Sequence, residues 1–558
     1  MKNIFVLFFL LVSLHAIGKK TFTNPILPGF HPDPSICRVG EDYYMVTSSF
    51  EWFPGLPIFH SKDLVHWEQI GHVLDRPSQL SMKEGLRASE GLWAPTIRYH
   101  EGTYYVICTG TGCGGNFIVT AKNPQGPYSE PVFIRDAPGI DPSLYFEEDG
   151  TVWYAGSING DDKVPPRKYP AEDRIYIQQI DVQTGKFLGE RHIVTSGYAI
   201  NSPYAEAPHI YKIKGSYYLI IAEGGTWEDH AVSVFKSDKI TGPYVPFVTN
   251  PLLTHRHLGK GVDITTVGHA DLVETQHGDW YAVMLGVRPL QGYTMLGRET
   301  FLTSVEFQKG CPIFNPGIGR VLAEDQFPRL PEYPVKLPEE RDNFTDSKLR
   351  FCWNFLRTPF EQWYTLKKGH LSLALRPQKL TEPVNPSLVA RRIEQHHFAV
   401  TACLEFTPRK NNEEAGLVIL QNDRYQYRLV VTKDEKAGKN LLKLIKVKGG
   451  EEILVSEREV KKEKIYLGIS GKGLEYDFLY GDSESDLHPL APAQDATICS
   501  SNVAYGFIGP YVGMYASSNG QASRNKASFD WFEYKNLFPA TETDAEKNCP
   551  AVSSAEVE

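Results

Sequence analysis

The sequence predicts an all-β protein in two parts, a five-bladed β-propeller followed by a C-terminal antiparallel β-sandwich. Three observations carry this prediction. One strand–turn–strand pattern recurs five times in the first half. Plain apolar/polar alternation takes over after residue 343. The composition suits many short strands: 12% of residues are aromatic, and 47 Gly and 38 Pro turn the chain.

The five units open with Asp33-Pro34-Ser35-Ile36, Ala94-Pro95-Thr96-Ile97, Asp141-Pro142-Ser143-Leu144, Ala207-Pro208-His209-Ile210 and His269-Ala270-Asp271-Leu272. Each leads through a short polar turn into an aromatic strand, at 43–46, 104–107, 152–154, 217–220 and 280–283. The turns hold Gly40-Glu41-Asp42, Glu101-Gly102, Asp149-Gly150, Lys214-Gly215 and Gly278-Asp279, the chemistry of tight hairpins. Further strand candidates have matching ends: 122–128 and 238–244 both finish in Gly-Pro-Tyr, and 61–67 fill the same place in the first unit. Four strands in each of five units make a five-bladed propeller. The units exceed the roughly 40–50 residues of common repeats, so their loops are long.

A Pro-rich stretch at 326–342 separates this unit, residues 19–325, from the sandwich at 343–538. The segments 371–375, 416–420, 425–430, 441–447, 465–470 and 527–534 read as sandwich strands. The polar, acidic end at 539–558 reads as a disordered tail. At the start, Lys2 precedes an apolar run at 4–14 and then Ala16-Ile17-Gly18, the pattern of a signal peptide over 1–18. The run is short for a membrane span. The expectation is export to the periplasm or beyond, with no membrane insertion after the leader is removed. Eight dispersed cysteines form no disulfide framework and read as buried free thiols. A net charge of −9 argues against nucleic acid as a partner. Nothing in the chain specifies an oligomeric state.

Inner strands line a propeller's axis, so residues at one repeat position converge there. In register these are Asp33, Trp93, Asp141, Glu206 and His269. Singly, each Asp before proline is a turn former. Jointly, three carboxylates from three blades repel, which keeps one protonated while another stays ionised. Such a pair flanking a bond is the equipment of glycoside hydrolysis.

The chain resembles glycoside hydrolase family 43, especially its two-domain β-xylosidases and α-L-arabinofuranosidases. The resemblance lies in residues 24–35, Ser49-Phe50-Glu51-Trp52-Phe53-Pro54-Gly55, Gly91-Leu92-Trp93-Ala94-Pro95, Gly139-Ile140-Asp141-Pro142, Glu206-Ala207-Pro208-His209, Gly268-His269-Ala270-Asp271 and Leu296-Gly297-Arg298-Glu299-Thr300. It runs from about residue 22 to about 536 and makes the sandwich concanavalin-like. It implies Asp33 as general base, Glu206 as general acid, and Asp141 as the residue that orients Glu206 and tunes its pKa. It implies inversion, with Arg298 on the terminal sugar and Phe50 and Trp93 as walls. It also implies His269 at the channel centre, beside water or a structural cation. The stretch Phe507-Ile508-Gly509-Pro510-Tyr511-Val512-Gly513 resembles the family's loop over the mouth, which implies that Phe507 helps close the pocket, although Ile508 and Tyr511 stand where the family usually has Thr and Phe.

The implied activity is exo-acting release of one pentose, arabinofuranose or xylose, from plant cell-wall polysaccharide or oligosaccharide. No cofactor or catalytic metal is required, and His255-Arg256-His257 reads as a loop without ligand spacing. The alternatives are an endo-arabinanase or galactan-cleaving relative on the same fold, and a carbohydrate-binding protein without catalysis.

Overall fold

The computed structural model describes residues 20–158, 166–199 and 201–537. The expected leader at 1–18 and tail at 539–558 lie outside the described residues. Five antiparallel sheets follow one another along the chain. Blade I comprises Ser35–Val39, Asp42–Val46, Gly55–Ser61 and Glu68–Leu74. Blade II comprises Gly91–His100, Thr103–Thr111, Gly115–Ala121 and Val132–Phe133. Blade III comprises Ser143–Phe146, Val152–Ile158, Arg174–Asp181 and Lys186–Thr195. Blade IV comprises Glu206–Ile213, Ser216–Glu223, Ala231–Ser237 and Val245–Pro246, with Leu253–Thr254 added on Ala231–Ser237. Blade V comprises Thr265–Glu274, Trp280–Val287, Glu299–Gln308 and Cys311–Phe314. In each blade the hairpin between the first two strands turns at a left-handed glycine, Gly40, Gly102, Gly150, Gly215 or Gly278, with φ between 66° and 86°.

The two-residue period of a strand decides how the blades pack. In Thr103–Thr111, Tyr104, Val106 and Cys108 share a core with Leu56, Ile58 and Val73 of blade I. Ile107, on the other face, shares one with Leu144, Tyr154 and Tyr176 of blade III. The same split builds the cores between blades III and IV, IV and V, and V and I. Each fully buried aliphatic side chain in them stabilises the ring by about 1.5–3 kcal/mol. The ring is closed by the N-terminal segment. Thr21–Thr23 pairs with Glu324–Gln326. Asn24 extends the contact, donating from Nδ2 to Leu302 O at 2.9 Å and accepting from Leu302 N at 3.0 Å.

The second unit is a sandwich of an eight-stranded and a six-stranded sheet. Lys526–Asn536 and His397–Glu405 are central in the first, Tyr511–Ser517 and Glu414–Asn422 in the second. Two short helical turns, Ala496–Cys499 and Ser501–Ala504, lead into the loop that carries Phe507. Cys37, Cys108, Cys403 and Cys499 are buried free thiols. Cys113, Cys311 and Cys352 are free but only partly buried, which corrects the expectation. Cys113 lies in a hairpin turn and Cys311 on an edge strand, where no second layer covers them.

The two units share backbone pairing and a core. Phe355–Leu356 pairs with Trp52–Phe53, and Trp52 stacks on Tyr511 with ring centroids 3.6 Å apart. The buried Arg357 donates from Nε and Nη2 to Leu86 O at 2.8 and 2.6 Å. Arg392 Nε donates to Phe30 O at 2.6 Å. Charged donors on buried carbonyls are costly to unmake, so these contacts hold the sandwich against the propeller mouth.

Candidate active site

The first residue of every repeat has a left-handed backbone: Asp33 (φ 53°), Ala94 (37°), Asp141 (54°), Ala207 (51°) and His269 (53°). This conformation is uncommon outside glycine and persists only where the surroundings enforce it. It also corrects the register. Trp93 and Glu206 stand one residue before the position that Asp33, Asp141 and His269 occupy. A β-bulge follows each of them, between Trp93 and Thr96 and between Glu206 and His209. A bulge re-aims side chains, and both residues reach the same pocket as the aspartates.

That pocket holds about 260 Å³ and is lined by all eight residues singled out in the sequence: Asp33, Phe50, Trp93, Asp141, Glu206, His269, Arg298 and Phe507. It falls just below the ~300–1,000 Å³ of sites for drug-sized ligands. Asp33 is fixed from two sides. Its Oδ2 accepts from Ser48 Oγ at 2.6 Å, and its Oδ1 accepts from Arg298 Nη1 at 2.7 Å. His269 Nδ1 lies 3.7 Å from the same Oδ1. The Arg298 guanidinium also reaches Thr226 Oγ1 at 3.3 Å and Phe507 O at 3.4 Å. Its Nε, although buried, has no partner among the described residues. The guanidinium sits 5.5 Å from the Phe50 ring and 5.7 Å from the Phe507 ring. Trp93 completes this aromatic wall, 5.9 Å from Phe50 and 5.4 Å from Phe507.

The wall is held from behind by Ser89. Its carbonyl accepts from Trp93 Nε1 at 2.9 Å, and its Oγ accepts from Phe507 N at 2.9 Å. Its own N–H donates to the carboxylate of the buried Glu51 at 3.0 Å.

The electrostatics are those of crowded acids. Asp141, buried and facing the Asp33 charge, is pushed up to about 8. Glu206 is raised well above the usual carboxylate range, first by burial and then by Asp141, Asp173 and Asp33. Asp173 is raised to about 6 by burial, opposed by Arg167 at 2.7 Å. Arg298 alone offsets Asp33, Asp141 and Glu206, while Asp173 has its own partner in Arg167, so burial and mutual repulsion keep protons on Asp141 and Glu206 at neutral pH. The arrangement can present a fixed carboxylate and a protonated carboxylic acid to one small ligand.

Comparison with known proteins places this geometry. The family model for glycosyl hydrolases family 43 matches residues 22–312, and the model for the β-xylosidase C-terminal concanavalin A-like domain matches 341–535. The chain belongs to glycosyl hydrolases family 43. It is 40% identical over 516 residues to a xylosidase/arabinosidase of Butyrivibrio fibrisolvens, covering 91% of this chain and 98% of that protein. It is 38% identical over 551 residues to a non-reducing end α-L-arabinofuranosidase of Bacteroides ovatus, covering 96% and 100%. Among solved structures, the Bacteroides ovatus xyloglucan-locus family 43 protein superposes with a TM-score of 0.86 at 38% identity, covering 93% of this chain and 100% of that one. A xylan β-1,4-xylosidase from Bacillus halodurans gives a TM-score of 0.86 at 38% identity, covering 92% and 100%. The protein is a glycosidase.

This family 43 pocket also holds residues that the sequence analysis did not single out: Asp173, Tyr204, Thr226, Trp227 and His230. Gly224-Gly225 just before Thr226 marks a tight loop between strands, and that is the one signal that could have found Thr226 and Trp227. Nothing local distinguishes Asp173. On the channel side of His269, Arg98 and Asp271 pair at 2.8 Å, and Arg98 Nη2 donates to His209 Nδ1 at 2.9 Å. His209 Nε2 is therefore a donor. His230 Nδ1 donates to Thr266 O at 3.1 Å, which leaves Nε2 as an acceptor. Both Nε2 atoms are buried without a partner. Burial keeps these imidazoles neutral, with His209 and His230 lowered to about 3. His255 has a structural role, bridging Ile264 O and Val321 N.

Proposed function

We propose that the enzyme removes one terminal pentose, α-L-arabinofuranose or β-D-xylose, from plant cell-wall polysaccharide or oligosaccharide, with inversion. The observation that carries this is the small pocket in which acids from three blades meet one arginine under the Phe507 loop of the sandwich. The space suits a chain end rather than a chain passing through. The names of the relatives, a xylosidase/arabinosidase and a non-reducing end α-L-arabinofuranosidase, support the same sugars and the same mode.

In this mechanism a water attacks the anomeric carbon and its proton passes to Asp33, held in place by Ser48 and Arg298. The glycosidic C–O bond breaks with its electron pair, and the leaving oxygen takes the proton of Glu206. Burial first, and then the neighbouring Asp141, raise Glu206 and so keep that proton available. Solvent then restores both groups. Arg298 holds the pentose hydroxyls, with its unpartnered Nε as a further donor. Every proton in this scheme moves between carboxyl groups and substrate, so no metal or cofactor is assigned a step. The apolar run after Lys2 supports export as part of the same proposal.

Initial rates on 4-nitrophenyl α-L-arabinofuranoside and 4-nitrophenyl β-D-xylopyranoside test it. A 100-fold preference, about 2.7 kcal/mol of differential transition-state binding, names a single substrate. Rates within a few fold of each other make the enzyme bifunctional. Binding of both sugars without turnover of either overturns the proposal.

A further inference from the structure

Trp227 is half exposed, at 51%, in a molecule whose other pocket aromatics are buried or partly buried. It lies on the blade IV loop between Ser216–Glu223 and Ala231–Ser237, and blade IV also carries Glu206. The ring is not loose. A Cβ on Gly225 would come within 2.6 Å of its Cε3 and Cζ3 atoms, so the indole lies directly on bare backbone. Tyr204 packs against it at 5.8 Å and Phe507 at 6.3 Å. Its backbone is tied in a tight turn, with Trp227 N donating to Gly225 O at 2.8 Å and His230 N donating to Trp227 O at 3.2 Å. The indole N–H has no partner among the described residues.

A large aromatic ring fixed by backbone, yet open to solvent at the lip of a polar pocket, has forgone burial that would stabilise the fold. Its place relative to the chemistry is specific. Thr226, the preceding residue, bonds Arg298 inside the terminal-sugar pocket. Trp227 itself stands where that pocket opens, on the blade of the proton donor. The leaving oxygen must face Glu206, so the departing sugar lies on this side.

Resting on the pentosidase reading of the pocket, we propose that Trp227, braced by Tyr204 and Phe507, is the platform for the sugar on the leaving-group side of the scissile bond. The apolar face of that sugar ring packs on the open face of the indole. The platform selects for a cyclic leaving group and leaves binding of the released pentose untouched.

The test compares wild type, Trp227→Ala and Trp227→Phe. The readouts are kcat/KM on xylobiose and on the two 4-nitrophenyl pentosides, and inhibition constants for free D-xylose and L-arabinose, which fill only the terminal-sugar pocket. In Trp227→Ala we expect kcat/KM on the ring-bearing substrates to fall at least about tenfold, roughly 1.4 kcal/mol, with the monosaccharide inhibition constants unchanged within twofold. Trp227→Phe should recover most of the loss. Equal weakening of monosaccharide inhibition and turnover would place Trp227 in the terminal pocket or in the fold and overturn the proposal, as would no change in either. A wild-type enzyme that turns over no pentoside would fail the functional reading itself and this platform with it, a result recognisable before any variant is made.

Discussion

Ser89 Oγ accepts the Phe507 backbone N–H at 2.9 Å across 418 residues of chain, tying the sandwich to the wall of the propeller's pocket. The same serine holds the Trp93 indole through its carbonyl. Removing one such bond should cost about 0.5–1.5 kcal/mol. Ser89→Ala should therefore lower kcat/KM by roughly 2–10-fold, mainly through KM, because it loosens a wall and touches no proton. Phe507→Ala should cost more, and steady-state kinetics on the preferred aryl pentoside distinguish the two.

The pH–rate profile should be set by the crowded acids. Burial and the charge on Asp141 raise Glu206, and activity is lost as pH rises through that raised value and the acid gives up its proton. Asp141→Asn removes a negative neighbour. The alkaline limb of kcat/KM should then move to lower pH. An alkaline limb that stays in place in Asp141→Asn would separate Asp141 from the tuning of Glu206.

Arg298 should not tolerate lysine. Its planar fork reaches Asp33, Thr226 and the Phe507 carbonyl together, which a single ammonium cannot do. Arg298→Lys should lower kcat/KM by about 100-fold or more, as expected for loss of a buried charged contact of ~3 kcal/mol. Circular dichroism and thermal melting should show the fold retained.

Much of this site was legible because the repeat carries it. Asp33, Asp141 and His269 head their units, and the left-handed backbone at each head follows from the shared turn. Trp93 and Glu206 were found with their register one residue out, because a bulge leaves no mark in an Ala-Pro dipeptide. Thr226, Trp227 and Asp173 come from the loops between second and third blade strands, where tertiary packing alone brings them to the pocket. The alternation of blade strands was plain, but which face meets which neighbour depends on the order of the ring. The partly exposed cysteines show the same limit, since edge and turn positions are set by what the fold leaves uncovered.

Glu51 gives the domain interface a pH dependence. Burial raises it from 4.5 to about 7, opposed by Arg357. The folded state favours its protonated form, so its contribution to stability is complete below the unfolded value of 4.5 and is lost as pH rises through about 7. Glu51→Gln keeps an acceptor for the Ser89 N–H and removes the titration. The fall in Tm between pH 5 and pH 8 should be smaller in this variant than in the wild type, as read by differential scanning calorimetry.

The most direct test of the acid–base assignment is the dependence of Glu206→Gln on the leaving group. Rates should be measured on pentosides of the preferred sugar carrying 2,4-dinitrophenol, 4-nitrophenol or a second sugar. A general acid matters most where the leaving oxygen is most basic. The variant should lose about 100-fold or more on the disaccharide, in line with the ~10²–10⁴-fold contribution of a positioned acid, and little on the dinitrophenyl substrate. An equal loss on all three substrates, or full activity on the disaccharide, would contradict the assignment of Glu206 as the proton donor.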